Sequence, residues 1–178
     1  MPDLVPSAPP GGSPGVRELR VPRPARLERW GADELVWLVV EPVWDASTEG
    51  RPPAHAALPA CATDGQRWLY AIWWMLLEVN TGGFHQLHWS PAGALADELL
   101  EGLLAIGARE YAQLLAESLE LLPPGAPGLS ARQEALELAP PGKLEGLDLR
   151  FHALGGTERL LGLAAAFVRA RPGEFFRS

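Results

Sequence analysis

Apolar and charged positions follow a helical spacing through the middle of the chain, where they predict two consecutive amphipathic helices. The first follows Ser90 and Pro91, a capping residue before a proline, and ends near Gly107. The second runs from about Ala108 to Leu122. One half of each helix carries the acids, so the other half is expected to face the core: Leu95, Leu99, Leu100, Leu103, Leu104 and Ile106, then Tyr111, Leu114, Leu115, Leu119 and Leu122.

A different kind of helix is predicted from Asp64 to about Asn80, because its apolar residues surround the whole helix axis. Asp64 is the expected N-cap, since its side chain can accept hydrogen bonds from the free N–H groups of the first turn. The pattern indicates a buried, central helix. The residues that surround the axis are Trp68, Leu69, Ile72, Trp73, Met75, Leu76 and Val79.

A further helix is indicated upstream, between Ala32 and Trp44, although its apolar residues are too dense to separate helix from strand by period alone. Trp30, Trp37 and Trp44 recur every seventh residue, which favours one face of a helix. Pro42 is expected to kink or end that helix, because proline lacks the N–H of a helical hydrogen bond.

The C-terminal third predicts two more helices. Ser130 and Gln133 have the spacing of a capping box for a short helix through Leu138. Thr157 is the expected cap of the last helix, which Pro172 is expected to stop. No strand and no internal repeat is predicted. The fold class is therefore all-α, a single compact domain of several helices.

The N-terminal residues 1–26 are rich in Pro and Gly and predict a flexible arm, partly polyproline II. The all-helical domain then spans residues 27–178, with its core beginning near Leu27. Arginine recurs at every third position, the period of polyproline II, at Arg17, Arg20, Arg23, Arg26 and Arg29.

The charge distribution limits the classes of partner. The net charge is -7, and residues 93–148 hold ten acidic and three basic residues. A field of one sign repels nucleic acids and membranes and attracts basic proteins. Cys61 is the only cysteine, which excludes an intramolecular disulfide and a zinc site built from cysteines. With no predicted leader or membrane span, we expect a cytoplasmic protein.

The most unusual stretch is LEVNTGGFHQLHWSPAG, from Leu77 to Gly93. One interpretation is chemical: Glu78, His85 and His88 are a candidate metal set for a hydrolase, although a fourth ligand is missing. No nucleophile stands out, because Ser90 is needed as a cap and no Gly-x-Ser-x-Gly motif occurs.

The other interpretation is structural, and we favour it. Asn80 would end one helix in the left-handed conformation, and Gly82 and Gly83 would allow a sharp reversal of the chain. Glu78 would accept hydrogen bonds from free N–H groups at the start of the next helix, and Gln86 would bridge donors and acceptors. Phe84 and Trp89 would bury this joint between two helices.

A resemblance to a known family rests on the same residues. Glu78-Val79-Asn80, Gly82-Gly83-Phe84, Gln86 and Gly93, followed by LLAIGAREYAQLLAESLELLP, resemble the bacterial DNA-mimic-protein-like domain family of the DMP-nineteen type. The resemblance covers about Asp64 to Pro123, with a weaker match in LDLRFHALGG and FVRARPGEFF. The chain departs from the family pattern at Thr81, Leu87, His88 and Ser90.

The resemblance implies an all-helical fold, no established catalysis and, in the named member, an acidic surface that occupies the DNA-binding site of a transcription factor. We therefore expect a non-enzymatic, cofactor-free module that binds a basic DNA-binding protein, without direct contact to nucleic acid or membrane. The alternatives are an immunity protein that neutralises a toxin and, third, the metal-dependent hydrolase. Homodimer formation stays open. The candidate partner-binding residues, whose alternative role is that of an ordinary solvated helix surface, are Asp97, Glu98, Glu101, Glu110, Glu117 and Glu120.

Overall fold

The computed structural model describes residues 19–48, 58–125, 128–140 and 142–177. Its eight α-helices confirm the predicted all-α class. Two strands of two residues each, β1 (Val21–Pro22) and β2 (Phe176–Arg177), pair in parallel and were not predicted. The helices are α1 (Ala32–Thr48), α2 (Asp64–Trp89), α3 (Ala96–Ala105), α4 (Arg109–Leu119), α5 (Leu129–Glu137), α6 (Lys143–Ala153), α7 (Gly156–Ala170) and α8 (Pro172–Phe175).

Helix α2 is the centre of the domain, as predicted, and packs against α1, α3, α5, α6 and α8. Its N-cap is Thr63 rather than the expected Asp64. The Gln66 N–H donates to Thr63 Oγ1 (3.2 Å), and the Thr63 N–H donates to Gln66 Oε1 (3.1 Å), which completes a capping box. Asp64 is already helical and therefore lies past the position from which a side chain caps.

Helix α1 continues through Pro42 to Thr48, so of the two expected effects, a kink or a helix end, the helix end does not occur. Trp37 and Trp44 share a face of α1, as their spacing indicated, and pack on α2, whereas Trp30 lies before α1 begins. Trp37 lies 5.1 Å from Trp73 between ring centroids, and Trp44 stacks on Trp74 at 4.6 Å. These aromatic contacts hold α1 against the central helix, and burial on that side stabilises the helix beyond its proline.

Helices α3 and α4 confirm the two predicted amphipathic helices. Ser90 caps as expected, since its Oγ accepts from the Ala92 N–H (3.1 Å), but a 3-10 turn, Pro91–Leu95, precedes α3. Gly107 follows α3 with a φ of 79°, a left-handed conformation that glycine adopts without strain. Leu104 was expected to face the core but is 53% exposed, because it lies at the edge of the apolar half.

Two predicted caps in the C-terminal third were wrong, because glycines hold the cap positions. Gly128 precedes α5 in place of the predicted Ser130, and Gln133 donates to Trp89 O (3.1 Å). Gly155, with a φ of 98°, precedes α7 in place of Thr157. Helix α6 was not predicted. Pro172 lies just after the end of α7, as expected, and begins α8.

The packed part of the chain begins before Leu27, where the core was expected to start. Leu19 is 3% exposed, and its carbonyl accepts a hydrogen bond from Gln66 Nε2 (2.9 Å). Val21 in β1 pairs with Phe176 in β2. Residues 1–18 of the predicted arm, with Arg17, lie outside the described residues. No helix in the described ranges has the length and apolarity that crossing a bilayer requires.

Candidate functional site

The Gly82-Gly83 pair interrupts α2, which confirms the predicted break at these glycines, but the chain kinks there instead of making the sharp reversal that was expected. Gly82 has a φ of -160° and a ψ of 29°, and Gly83 has a φ of 70° and a ψ of -165°. The helix thus consists of two segments, residues 64–81 and 84–89. Asn80 was expected to take the left-handed conformation, but it stays helical and Gly83 has the positive φ. Glycine suits this place because an L side chain would be strained there.

Asp148 on α6 caps the second segment of α2. The Phe84 N–H donates to Asp148 Oδ1 at 2.8 Å, and a carboxylate is favoured at a helix N-terminus by the helix dipole. The sequence had assigned this role to Glu78, which was wrong. Side chains on a helix lean toward its N-terminus, so Glu78 leans away from a break that follows it.

Asn80 and Gln86 have roles other than those predicted for them. Asn80 Nδ2 lies 2.9 Å from Thr157 Oγ1, and Thr157 Oγ1 lies 3.0 Å from Asn80 Oδ1, which ties α2 to the first turn of α7. A Cβ added to Gly82 would stand only 2.9 Å from the Cβ of Gln86, which is too close. Gly82 therefore leaves room for Gln86, and no hydrogen bond of the Gln86 amide bridges the joint within the described residues.

Phe84 is fully buried, as predicted, and connects the break to α4 and α6. It makes an edge contact with Phe151 (6.4 Å between centroids), which makes another with Tyr111 (5.4 Å). The Tyr111 hydroxyl lies 3.1 Å from Leu154 O and 3.0 Å from Gly156 O, so its proton is donated into the α6–α7 turn. Burial raises the pKa of Tyr111, which keeps the hydroxyl protonated.

His88, near the end of α2, is fully buried and neutral. Its Nε2 lies 2.8 Å from Ser118 Oγ, which itself donates to Leu115 O (2.7 Å). Because the only Ser118 hydroxyl proton is used there, His88 donates from Nε2, and its Nδ1 has no hydrogen-bond partner among the described residues. Burial, and then the positive charges of Arg132 and His85, lower the pKa of His88 from 6.5 to about 4.

Arg132 on α5 closes the C-terminal end of α2, a role that the sequence analysis missed. The side chain is buried and donates from Nε to His88 O (3.0 Å) and from Nη2 to Ser90 O (2.9 Å). A cation is favoured at a helix C-terminus, where carbonyl groups lack helical partners. A Cβ on Gly93 would stand 2.9 Å from Leu87 O and 3.0 Å from Arg132 Nε, so only glycine fits beside this contact.

We expect the neutral His88 to make stability depend on pH. In the unfolded chain His88 titrates near 6.5 and in the folded chain near 4, so the unfolded state binds more protons between these values. Its stabilising contribution is complete above pH 6.5 and decreases as the pH falls toward 4. The expected loss is about 3 kcal/mol in the free energy of unfolding. Urea unfolding of the wild type and of His88→Gln across this range measures it.

The control for this prediction is His152→Gln, which changes an exposed histidine on α6. It should keep the pH dependence of the wild type. An equally steep decrease of stability in the wild type and in His88→Gln would contradict the assignment to His88.

The six candidate partner-binding acids lie at the helix surfaces. Glu98 and Glu117 are half-buried and the other four are exposed: Asp97, Glu101, Glu110 and Glu120. Two of the three α3 acids contact the start of α2, where Trp68 Nε1 donates to Glu101 Oε2 (3.2 Å) and Arg67 pairs with Glu98 (3.2 Å).

The α4 acids contact α6 and α7. Arg159 Nη2 lies 2.6 Å from Glu110 Oε2. Arg150 binds both carboxylate oxygens of Glu117, and its hydrogen bond holds the pKa of Glu117 below the usual range. These ion pairs are exposed, and exposed pairs contribute little to stability. That the six acids bind a partner stays a prediction.

The alternative metal set is not assembled. Within the described ranges, no three His, Cys, Asp or Glu side chains are grouped so that they could hold a metal ion. Glu78, His85 and His88 therefore do not form such a group. His88 uses Nε2 on Ser118, and the exposed His85 stacks on Trp89 at 5.4 Å between ring centroids. The prediction that Glu78, His85 and His88 form a metal set was therefore wrong for the described part of the chain.

The fold and the joint define an all-helical domain whose central helix is broken at two glycines and closed at its far end by a buried arginine. A family model described as "DMP19-like protein" matches residues 61–171. The chain belongs to this DMP19-like family, which confirms the predicted resemblance; the match is continuous through α5 and joins the two parts of the chain that carried the resemblance. Comparison with curated proteins and with solved structures gave no match.

Proposed function

We propose that this protein is a non-enzymatic binding module whose carboxylates on α3 and α4 bind a basic, nucleic-acid-binding protein by mimicking DNA. The observation that carries the proposal is the surface position of these acids, since Asp97, Glu101, Glu110 and Glu120 are exposed while the leucines between them are mostly buried. Membership of the DMP19-like family supports the same assignment. In this proposal the protein acts in the cytoplasm.

Helix geometry supports the mimicry. Side chains three or four residues apart on a helix lie about 6 Å from each other, so Asp97, Glu98 and Glu101 form one group of neighbouring charges. Duplex DNA presents about one charge per 1.7 Å of axis. Rigid helices thus hold carboxylates at spacings that arginine and lysine side chains of a DNA-binding protein can span.

The chain's own arginines, which pair with some of these carboxylates, do not prevent the binding of such a partner. Arg67, Arg150 and Arg159 hold their carboxylates in defined positions, and the exchange of an exposed pair for a partner's cation costs little. Asp97 and Glu120 pair with no arginine or lysine in the described residues and are directly accessible. The joint at Gly82-Gly83 contributes rigidity, because Asp148 accepts from the Phe84 N–H and Asn80 bonds Thr157 on α7.

The test is affinity capture from the organism that encodes the protein, with a variant that carries Asp97→Asn, Glu101→Gln, Glu110→Gln and Glu120→Gln. This four-carboxylate variant should lose a partner that the wild type retains. The matched control neutralises four exposed acids elsewhere, Glu28, Glu41, Asp45 and Glu158, and should retain it. Mass spectrometry should identify a DNA-binding protein with a pI above about 9.

Salt is the second variable of this experiment. The captured protein should be released when salt rises from about 0.05 to 0.2 M, because contacts between exposed charges are screened. Equal capture by all three proteins, or capture that does not respond to salt, would contradict the proposal. A captured nuclease toxin would replace DNA mimicry with the immunity function.

A further inference from the structure

A cavity of about 320 Å³ lies beside the break in α2. We call it the break cavity, and its walls come from the residues around Gly82, the end of α5 and the first two turns of α6. One wall is polar and the other apolar. The polar residues are His85, Glu145 and Asp148, and the apolar residues include Leu136, Ala139 and Leu144.

The polar wall carries two carboxylates that are close neighbours. Glu145 and Asp148 are three residues apart on α6 and therefore share one face of that helix. Oδ1 of Asp148 accepts from the Phe84 N–H, which orients the carboxylate and leaves Oδ2 for another donor. Neither acid forms an ion pair with a described residue, in contrast to Glu98, Glu110 and Glu117.

The apolar wall of the break cavity is well packed. Leu136 and Leu144 are 5% and 6% exposed, so they belong to the packed core and form a fixed surface. On the polar side, His85 lies with its ring stacked on Trp89. The lining of the break cavity thus combines an apolar surface with two carboxylates, and its volume is at the small end of ligand sites, which span about 300–1,000 Å³.

We propose that the break cavity binds an arginine side chain of the basic partner. The guanidinium lies between Glu145 and Asp148, and the aliphatic part of the side chain packs on Leu136 and Ala139. Arginine satisfies both walls, because its planar head matches carboxylates and its stem covers apolar surface. An anion would be repelled by the carboxylates, and an apolar ligand would cover the half-buried Asp148 without giving its Oδ2 a partner.

This inference rests on the proposed function for the source of the arginine, but its chemistry is tested without the partner. The probe is N-acetyl-arginine amide, titrated into the full-length, 15N-labelled protein and followed by NMR. Amide signals of Gly82, His85 and Glu145 should shift and saturate at millimolar probe. N-acetyl-citrulline amide has nearly the same shape without the charge, and should bind at least about tenfold more weakly.

Two pairs of variants locate the site. Glu145→Gln should weaken the binding of N-acetyl-arginine amide about tenfold, since one charge-assisted contact is lost. Its control, Glu41→Gln, removes an exposed acid on α1, outside the break cavity and the proposed partner surface, and should leave the affinity unchanged. Ala139→Leu fills the cavity and should abolish saturation, whereas Ala116→Leu adds the same bulk to an exposed position of α4 and should not.

The outcomes separate the two proposals. Equal shifts with arginine and citrulline, no shift at the break cavity, or an unchanged affinity in Glu145→Gln would each overturn the arginine site, whatever the capture experiment shows. Saturable arginine binding at the break cavity, together with no basic protein captured, would leave the site standing and overturn the proposed function. Folding of each variant is checked by its amide spectrum before titration.

Discussion

Gly83→Ala is expected to lower the free energy of unfolding by more than about 3 kcal/mol. At a φ of 70° and a ψ of -165°, Gly83 occupies a region that is almost restricted to glycine. A Cβ there would also overlap the Asp148 carboxylate, whose Oδ1 would be 2.6 Å away. Asp148 would have to move, and the Phe84 N–H would lose its acceptor.

The matched control is Gly162→Ala on α7, an exposed glycine with no atom near its added Cβ. There alanine should raise stability by up to about 1 kcal/mol, because it is the better helix former. Urea unfolding followed by circular dichroism compares the two variants. A stability of Gly83→Ala within about 1 kcal/mol of the wild type would contradict the structural assignment of the joint.

Arg132→Met is the second large effect, with an expected loss of about 2–4 kcal/mol. Methionine keeps much of the volume but leaves His88 O and Ser90 O without their donors in a buried place. The pKa of His88 should also rise, because the positive charge of Arg132 contributes to lowering it. Urea unfolding measures the first effect, and an NMR titration of the His88 ring measures the second.

Arg109→Met, at an exposed position that begins α4, is the control for this variant and should change stability by less than about 0.5 kcal/mol. If Arg132→Met and Arg109→Met were equally stable, the buried arginine would not support the end of α2. An unchanged pKa of His88 in Arg132→Met would contradict the claim that the charge of Arg132 lowers this pKa.

Local patterns were enough to predict much of the fold. Helices α3 and α4 followed from their leucine spacing, and the Ser90 cap and the turn at Gly107 followed from residue type. The glycine pair was recognised as a break because glycine adopts backbone conformations that other residues rarely adopt. Helix α6 was missed, since only Leu144, Leu147 and Phe151 are buried in it and the exposed Leu149 blurs the apolar face.

The residues that complete the joint lie too far away in sequence for a local pattern to reveal them. Asp148 acts on Phe84 across 64 positions, and Arg132 acts on His88 across 44. Both are charged residues on short helices, and a local sequence pattern assigns such residues to the solvent-exposed face. Their roles depend on how α5 and α6 pack against α2, which is decided by the whole core. For the same reason Glu78, the acid nearest in sequence, was assigned the cap that Asp148 supplies.

The capping prediction failed at α5 and α7 because residue type does not fix backbone position. Ser130 and Thr157 have the side chains of N-caps, but the helices begin earlier, at Leu129 and Gly156. Once inside the helix, Thr157 is free to bond Asn80 on α2. A polar residue near a helix start is thus available for tertiary contacts when glycine occupies the cap.

The most direct test of the DNA mimicry is competition with DNA itself. A labelled duplex is bound to the basic protein recovered by capture, and its fluorescence anisotropy is followed as the wild type or the four-carboxylate variant is added. We expect the wild type to displace the duplex completely and the four-carboxylate variant to need an at least about tenfold higher concentration. Unchanged anisotropy while the wild type binds, which means a ternary complex with the duplex still bound, would contradict the DNA mimicry.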